Sequence, residues 1–550
     1  MYRKQQKYVM GRELEAKNYR NKAQKAKNKS QILKSEKKEA NDGYNYQNEI
    51  INDKLIYSIR ELMRNSSYPS LNLNNLNIDN INQRVRDAQY AVRGELVTIA
   101  EKMQKDINEG KRTDFEKIVF CNIGNPHAVG QKPISFIRQV LSIVEYPELL
   151  NNPNIHLLYP EDVILRAKEY IINTKNGIGA YSNSQGFDFV VKDVARFIEE
   201  RDGYKADPKN IFLTNGASEG IQMFLNTIIR NNMDGVLLPI PQYPLYSALL
   251  TLLGGTKVNY YLDESKGWGL SIEELNNAVS MARMKDVNIR CIVVINPGNP
   301  TGKCLDVENM KEIIKFCQRE NLILIADEVY QENVYAEDMK FTSFRKVLLD
   351  MGEQFSNVQL FSCHSISKGF LGECGQRGGY FEIMNIDGEV RDQIYKLACT
   401  RLCPNTLGQL VVSMMVRPPK EDELSYELYQ MEKNSILNQL KERSIMLTKE
   451  LNNIPGISCE RPQGAMYIFP SVELPSKFIE EAEKMGKKPD FLWAKHMLEE
   501  AGVCVIPGSG FGQKPGTYHF RTTFLADQNS LKDAVFRMKA VHEKLLKQYA

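Results

Sequence analysis

The sequence predicts an α/β protein, with a mostly parallel sheet covered by helices on both faces. Short, nearly continuous apolar runs are the first sign. "DGVLLPIP", "KVNYYLD", "IRCIVVINP", "NLILIADE" and "VQLFSCHS" read as strands buried on both sides, as parallel strands are. The second sign is helical sequence between runs, "VENMKEIIKFCQRE" having crossover length. The third is what ends the strands. In open α/β sheets the ligand lies beyond the carboxyl ends of the strands. Those ends read "NGAS" (215–218), "PQYPLY" (241–246), "NPGNPTG" (296–302), "DEVY" (327–330) and "SISK" (365–368). One polar, Gly/Pro-rich or aromatic end is ordinary loop chemistry, whereas five together point to one shared site.

Along the chain, 85–120 reads as helix. In "VRDAQYAVRGELVTIAEKMQKDINEG" the apolar spacing is near 3.6, and the run stops at Gly110. "FEKIVFCNIGNP" follows as a short strand that breaks at Gly124 and Pro126. Residues 132–150 and 160–174 read as helical. From about 188 strands and helices alternate: "VVKDVARFIEERDG" is a helix, "NIFLTNGASEG" a strand meeting a turn, and "IQMFLNTII" the next helix. From about 425 a long helix, "LYQMEKNSILNQLKERSIMLTKELNNI", leads into a mixed C-terminal portion. The expected organisation is a basic polar extension over 1–75, disordered or partly helical. An arm and part of a small domain follow over 76–160, then a large domain over 161–420 and the small domain over 421–550.

At 550 residues, 42% hydrophobic and 25% charged, the chain is an ordinary soluble protein with room for more than one domain. A net charge of +3 argues against a dedicated nucleic-acid binder. No run approaches the ~18 apolar residues of a membrane helix. The ten cysteines and six histidines show neither CxxC nor HExxH spacing, so free thiols in a reducing compartment and no metal site are expected. Residues 1–40 hold 13 Lys/Arg against 4 Asp/Glu, and the remainder 58 against 64. With Glu13 and Glu15 so early, the cytoplasm is the expected address. The mitochondrion is the alternative if the extension is a transit peptide.

The strand ends carry chemistry. Gly216, Ala217 and Ser218 lie between a strand and a helix, where small residues expose backbone N–H groups to an anion; an ordinary turn is the competing reading. "GNPTGK" (298–303) lacks the P-loop spacing, and "GSGFG" (508–512) lacks the dinucleotide spacing. Asp327 ends an apolar run, where a carboxylate is costly unless paired. It is a cap, an ion-pair member, or the partner of a cationic ring nitrogen. Tyr243 is a core aromatic or a platform for a flat ring. Lys368 stands in "SISKGFLGECGQRGGY" (365–380) among five glycines, as a phosphate clamp or a nucleophile. Ser365, Ser367 and Arg377 around it suit a phosphate. A phosphate pocket, a ring platform, a carboxylate for a ring nitrogen and a lysine nucleophile together describe pyridoxal 5′-phosphate.

From about residue 80 onward the chain resembles the class I aminotransferases of the fold-type I pyridoxal-phosphate enzymes, and within them the alanine aminotransferases. "YAVRGELV", "NIGNPHAVGQKPISFIRQV", "GAYSNSQG", "IPQYPLYSA", "NPGNPTGK", "HSISKGFLGECGQRGGY" and "YHFRTTFL" carry the resemblance. It implies a large domain with a mostly parallel sheet and a smaller α/β domain from the chain ends. It further implies that Lys368 binds the cofactor covalently, Asp327 pairs with its ring nitrogen, and Tyr330 and Asn299 bond its ring oxygen. Gly216, Ala217, Ser218, Ser365, Ser367 and Arg377 would form the phosphate cup, and Tyr243 would stack on the ring. Tyr181 would reach the phosphate of a neighbouring subunit, which implies a homodimer. Arg521 and the backbone at Gly124 would clamp the substrate α-carboxylate. The implied activity moves the amino group of L-alanine to 2-oxoglutarate, giving pyruvate and L-glutamate.

Rivals remain at this stage. Other amino and oxo acids, glyoxylate among them, suit the same motifs, as does lyase or synthase chemistry. A non-catalytic interaction protein with a basic tail is the remaining alternative; intact Lys368, Asp327, Asn299 and Arg521 argue against it.

Overall fold

The computed structural model describes residues 75–550 apart from 91, 93, 112 and 338. The extension expected over 1–75 therefore lies outside the described residues but for its last position. The chain divides into two units, Met1–Ile81 and Asn82–Ala550. In the described part of the first, Asn80 and Ile81 both donate to the Asn77 carbonyl at 3.2 Å, closing a turn. All that follows concerns the second.

Seven strands form the main sheet: β1 (Ile211–Thr214), β2 (Asp234–Ile240), β3 (Thr256–Tyr261), β4 (Asn288–Ile295), β5 (Ile323–Asp327), β6 (Leu360–Ser365) and β7 (Gly379–Met384). Their order is β1-β7-β6-β5-β4-β2-β3. β2 to β6 pair in parallel, and β7 runs antiparallel to both its neighbours. Successive side chains point to opposite faces, and the core shows it. Val236, Leu238, Val293 and Ile325 pack on one side with helix Ala217–Ile228. Leu237, Ile292, Val294, Leu324 and Ala326 pack on the other with helices Ile272–Arg283 and Val307–Glu320. Both faces are dry, which is why these strands lack polar alternation.

β7 goes beyond the sequence reading. Its run carries Glu382, which looks wrong for a buried strand until its partner is seen. Arg345, from helix Phe344–Asp350, meets Glu382 at 3.0 Å and Asp202 at 3.4 Å. The helix read over 85–120, with its run stopping at Gly110, is also interrupted, forming Gln83–Asp87 and Glu95–Asn108. Between them the chain is extended at Ala88 (ψ 125°), and Tyr90 reaches the Tyr243 hydroxyl at 2.6 Å. A long-range contact overrides local helix propensity there.

A smaller assembly joins segments from both sides of the main sheet. Val119–Phe120 pairs in parallel with Val503–Cys504. Phe520–Thr523 pairs antiparallel with Tyr467–Ile468 on one side and Ile506–Pro507 on the other. The long helix expected from about 425 is Tyr426–Asn452, sharing a core with helix Gln528–Gln548 through Leu440, Leu447, Leu531 and Val535. All ten cysteines are free. Among the described residues no helix is long and apolar enough to cross a membrane.

Glu328 follows β5 and is 1% exposed. It accepts the Phe344 N–H at 2.7 Å. Burial pushes its carboxyl from an ordinary 4.5 up to about 7; Arg201 opposes that rise, while Asp202 and Glu382 add to it. Between those values the folded chain keeps a proton that the unfolded chain releases, so this group's contribution to stability falls as pH rises. Glu328→Gln should therefore gain melting temperature relative to wild type as pH rises through that window. Parallel melting profiles for the two proteins from pH 4 to 8 would refute the assignment.

Candidate active site

Because the parallel strands share one direction, their carboxyl ends fall along one edge of the sheet, where a cavity of about 460 Å³ opens. Twelve of the fourteen residues singled out from the sequence line it: Gly124, Ala217, Ser218, Tyr243, Asn299, Asp327, Tyr330, Ser365, Ser367, Lys368, Arg377 and Arg521. The exceptions are Gly216 and Tyr181. Gly216 lies immediately beside the cavity, whereas Tyr181 is on the surface, 77% exposed.

One end of the cavity is built for an anion. Helix Ala217–Ile228 begins at Gly216 (φ 83°) with no side-chain cap, leaving first-turn N–H groups free of a side-chain acceptor. Arg377 crosses this helix start, donating from Nη2 to the Asn215 carbonyl at 2.7 Å and from Nη1 to the Cys374 carbonyl at 3.0 Å. A Cβ on Gly216 would stand 2.5 Å from Arg377 Nη2. Glycine here permits both the positive φ and the approach of the guanidinium. The Ser365 hydroxyl donates to the Gly378 carbonyl at 3.1 Å and accepts the Ser367 N–H at 3.1 Å, tying the lysine turn to the loop carrying Arg377.

The middle of the cavity holds a buried carboxylate. Asp327 is 4% exposed. It accepts from the Tyr246 hydroxyl at 2.8 Å, and the Val329 N–H and Cys363 thiol stand farther off at 3.4 and 3.9 Å. Burial pushes its carboxyl up, and those hydrogen bonds and the charge of Lys368 only partly offset this. Among the described residues no cation forms a salt bridge with it. Tyr243 is half-buried at the start of helix Pro244–Leu253, its hydroxyl held by Tyr90. Lys368 Nζ donates to the Gly124 carbonyl at 2.7 Å and lies 5.7 Å from the Tyr330 ring centre.

At the other end Arg521 is fully buried, donating from Nη1 to Asn299 Oδ1 at 3.1 Å and from Nη2 to the Asn122 carbonyl. Its Nε has no partner, so a carboxylate would find unspent N–H groups on the guanidinium edge. Burial and the neighbouring Tyr467 push the Tyr330 hydroxyl well above the usual tyrosine range.

The sequence reading missed Tyr90, Tyr246, Cys374 and Tyr467. Tyr246 stood in the quoted "PQYPLY" but was not distinguished from its neighbour. Tyr467 follows "GA" in "GAMYIF", a close-approach signal that is weak without the strand it pairs with. "GSGFG", rejected as a nucleotide loop, instead delivers Phe511 against Arg521, ring centre to guanidinium carbon 4.7 Å. A second cavity of about 650 Å³, lined by Trp268, Glu264 and His519, touches none of the fourteen.

The sheet order and this site define a fold-type I aminotransferase. The chain belongs to the aminotransferase class I and II family, whose model matches residues 149–537. It is 52% identical over 480 residues to a probable mitochondrial alanine aminotransferase of Dictyostelium discoideum, covering 86% of this chain and 90% of that one. It is 48% identical over 481 residues to glutamate–glyoxylate aminotransferase 2 of Arabidopsis thaliana, covering 87% and 98%. Among solved structures it resembles an alanine aminotransferase from Pyrococcus furiosus, with a TM-score of 0.66, 25% identity, and 84% and 99% of the two chains covered.

A Cβ on Gly124 would collide with the Tyr467 hydroxyl and stand 3.0 Å from Lys368 Nζ. Gly124→Ala should cost about 1–3 kcal/mol of stability by overpacking. Adding Tyr467→Phe clears the space, so the double variant should lose less than the sum of the single losses in urea melts. Additive losses would show that the hydroxyl is not the atom in the way.

Proposed function

We propose that this protein is a pyridoxal 5′-phosphate-dependent alanine aminotransferase that passes the amino group of L-alanine to 2-oxoglutarate, yielding pyruvate and L-glutamate. The observation that carries the chemistry is the buried carboxylate of Asp327, without a salt bridge among the described residues, in the same cavity as Lys368. The choice of alanine rests on the relatives named for that activity.

The residues fit the cofactor. Asp327 lacks the cation that a protonated ring nitrogen provides. The Gly216–Ser218 helix start with Arg377, Ser365 and Ser367 suits a phosphate, and the Tyr243 ring suits a flat heterocycle. Bound there, pyridoxal 5′-phosphate supplies an aldehyde that accepts an amine and a cationic ring that withdraws electrons from the α-carbon. Lys368 would hold the cofactor covalently and, with its amine free, would take the proton from the substrate α-carbon. Asp327 would keep the ring nitrogen protonated, and Tyr330 and Asn299 would hydrogen-bond the ring oxygen. Arg521, with the backbone at Gly124, grips the α-carboxylate through parallel hydrogen bonds that a lysine cannot reproduce, and orients the α-C–H bond.

In this reading residues 161–420 form the cofactor-holding domain, and 76–160 with 421–550 the smaller one. The Dictyostelium relative's name includes "mitochondrial", which favours the mitochondrial address over the cytoplasmic one for this basic-tailed chain. A glyoxylate acceptor is the second reading, favoured by the Arabidopsis relative.

Purified holoenzyme given L-alanine alone should release pyruvate only in proportion to its sites, and continued turnover should require a 2-oxo acid, 2-oxoglutarate serving better than glyoxylate. Sustained consumption of L-alanine, many turnovers per site, with no acceptor present would overturn the proposal. Lys368→Ala should abolish turnover, and borohydride reduction of the wild-type protein should fix the cofactor to Lys368 alone.

The active unit is a homodimer in which Tyr181 reaches the neighbour's phosphate. Verified heterodimers of Lys368→Ala with Tyr181→Phe contain one site with both an intact lysine and an intact tyrosine. Their turnover should exceed that of either parent, and the absence of rescue would count against sharing.

A further inference from the structure

Tyr467 has no role in the reading above, yet it touches both the Arg521 end of the cavity and Tyr330 nearer its middle. Strand pairing puts it there. Tyr467 stands opposite Thr523, and Ile468 opposite Thr522, on neighbouring antiparallel strands. Arg521, two residues before Thr523, is thus the diagonal neighbour of Tyr467 on the same sheet face, within reach of a long side chain. The guanidinium carbon lies 4.2 Å from the Tyr467 ring centre and 4.7 Å from that of Phe511. A planar cation between two rings keeps its plane while its edge N–H groups stay free. Phe511 is pinned in turn, because the Ser509 N–H beside it donates to the buried Asp490 carboxylate at 2.6 Å.

The hydroxyl of Tyr467 is engaged elsewhere. The Tyr330 hydroxyl donates to it at 3.1 Å, and the space beside it is open only because residue 124 is glycine. Lys368 and Arg521 are the cations facing this phenol, and Tyr330 and Tyr243 the other titratable groups around it. Burial pushes the Tyr467 phenol up. The charges of Lys368 and Arg521, with the hydrogen bond from Tyr330, outweigh that and hold it below the usual tyrosine range. The oxygen therefore serves as the acceptor of the cluster.

We propose that Tyr467 is a positioning residue with two separable ends: its ring holds the Arg521 guanidinium flat for a substrate carboxylate, and its hydroxyl holds Tyr330 in register beside Lys368. The proposal rests on the reading of Arg521 as the carboxylate clamp. One side chain thereby links the grip on the substrate to the amine that moves the proton, and a ring-preserving substitution separates the two.

The test compares Tyr467→Phe, Tyr467→Leu and Phe511→Leu as holoenzymes. Succinate, an unreactive carboxylate, is the probe, titrated by calorimetry alongside steady-state kinetics. Tyr467→Phe keeps the ring, so its succinate affinity should stay close to wild type while kcat falls about tenfold for one lost buried hydrogen bond. Tyr467→Leu should lower kcat in the same way and also weaken succinate about tenfold, the loss of one desolvated cation–ring contact. Phe511→Leu should weaken succinate similarly and carries the ring half of the test should Tyr467→Leu fail to fold. If Tyr467→Phe weakened succinate as much as Tyr467→Leu, or left kcat unchanged, the two-ended assignment would be wrong. Wild-type protein that bound no succinate would instead sink the clamp reading itself, whereas wild-type binding with unchanged affinity in Tyr467→Leu and Phe511→Leu would sink this proposal alone.

Discussion

A carboxylate ends the central strand β5, 4% exposed and with no cation bonded to it among the described residues. The rest of the cavity is arranged around that group. Stripping a carboxylate of water is expensive unless something positive or hydrogen-bonding replaces the water. At Asp327 the protein supplies one close hydroxyl, from Tyr246, while the charge of Lys368 acts from within the same cavity without bonding to it. Parallel pairing with β4 and β6 aligns Asp327 with Ile295 and Cys363, so the anion sits in the middle of the sheet edge. The loops after β1, β2, β4 and β6 can all face it from there. Asp327 is thus left without a bonded cation among the described residues, the place that the proposed function gives to a cationic heterocycle.

The sheet cannot make the rest of the site by itself. Gly124 and Arg521 both depend on the small assembly where the Val119–Phe120 strand joins Val503–Cys504 and the Thr523 N–H bonds the Cys121 carbonyl at 3.0 Å. One set of backbone pairings therefore positions the carbonyl that Lys368 bonds and the guanidinium that faces Asn299. Because the chemistry lies between this assembly and the sheet edge, contacts spanning the two matter most. Arg521 to Asn299, Lys368 to Gly124 and Tyr330 to Tyr467 are such contacts.

Behind the edge, Arg201, Asp202, Arg345 and Glu382 form a buried ionic cluster, and His364 is held neutral beside it, burial pushing it down to about 3. The arginines satisfy Glu382 on β7 and Asp202 at the end of helix Asp188–Asp202, so a strand carrying a glutamate packs inside a dry sheet. The cluster anchors the segment after Asp327 through Glu328 and the Phe344 N–H. It thereby supports the site without lining it.

By itself the sequence determined the α/β class, most strand and helix positions, and twelve residues that line one cavity. That much was legible because strands buried on both faces leave apolar runs, and because ligand chemistry gathers where those runs stop. Tertiary structure decided the rest. β7 was hidden because Glu382 is tolerable only beside Arg345, 37 residues away in the chain. The helix break at Ala88 follows from a contact between Tyr90 and Tyr243, 153 residues apart. Tyr467 acquires its place from the register that sets it diagonal to Arg521, and Phe511 from a turn bound to Asp490. Local patterns encode what each segment buries. They do not encode which distant side chain will stand against it, because that is fixed by pairing between strands far apart in the chain.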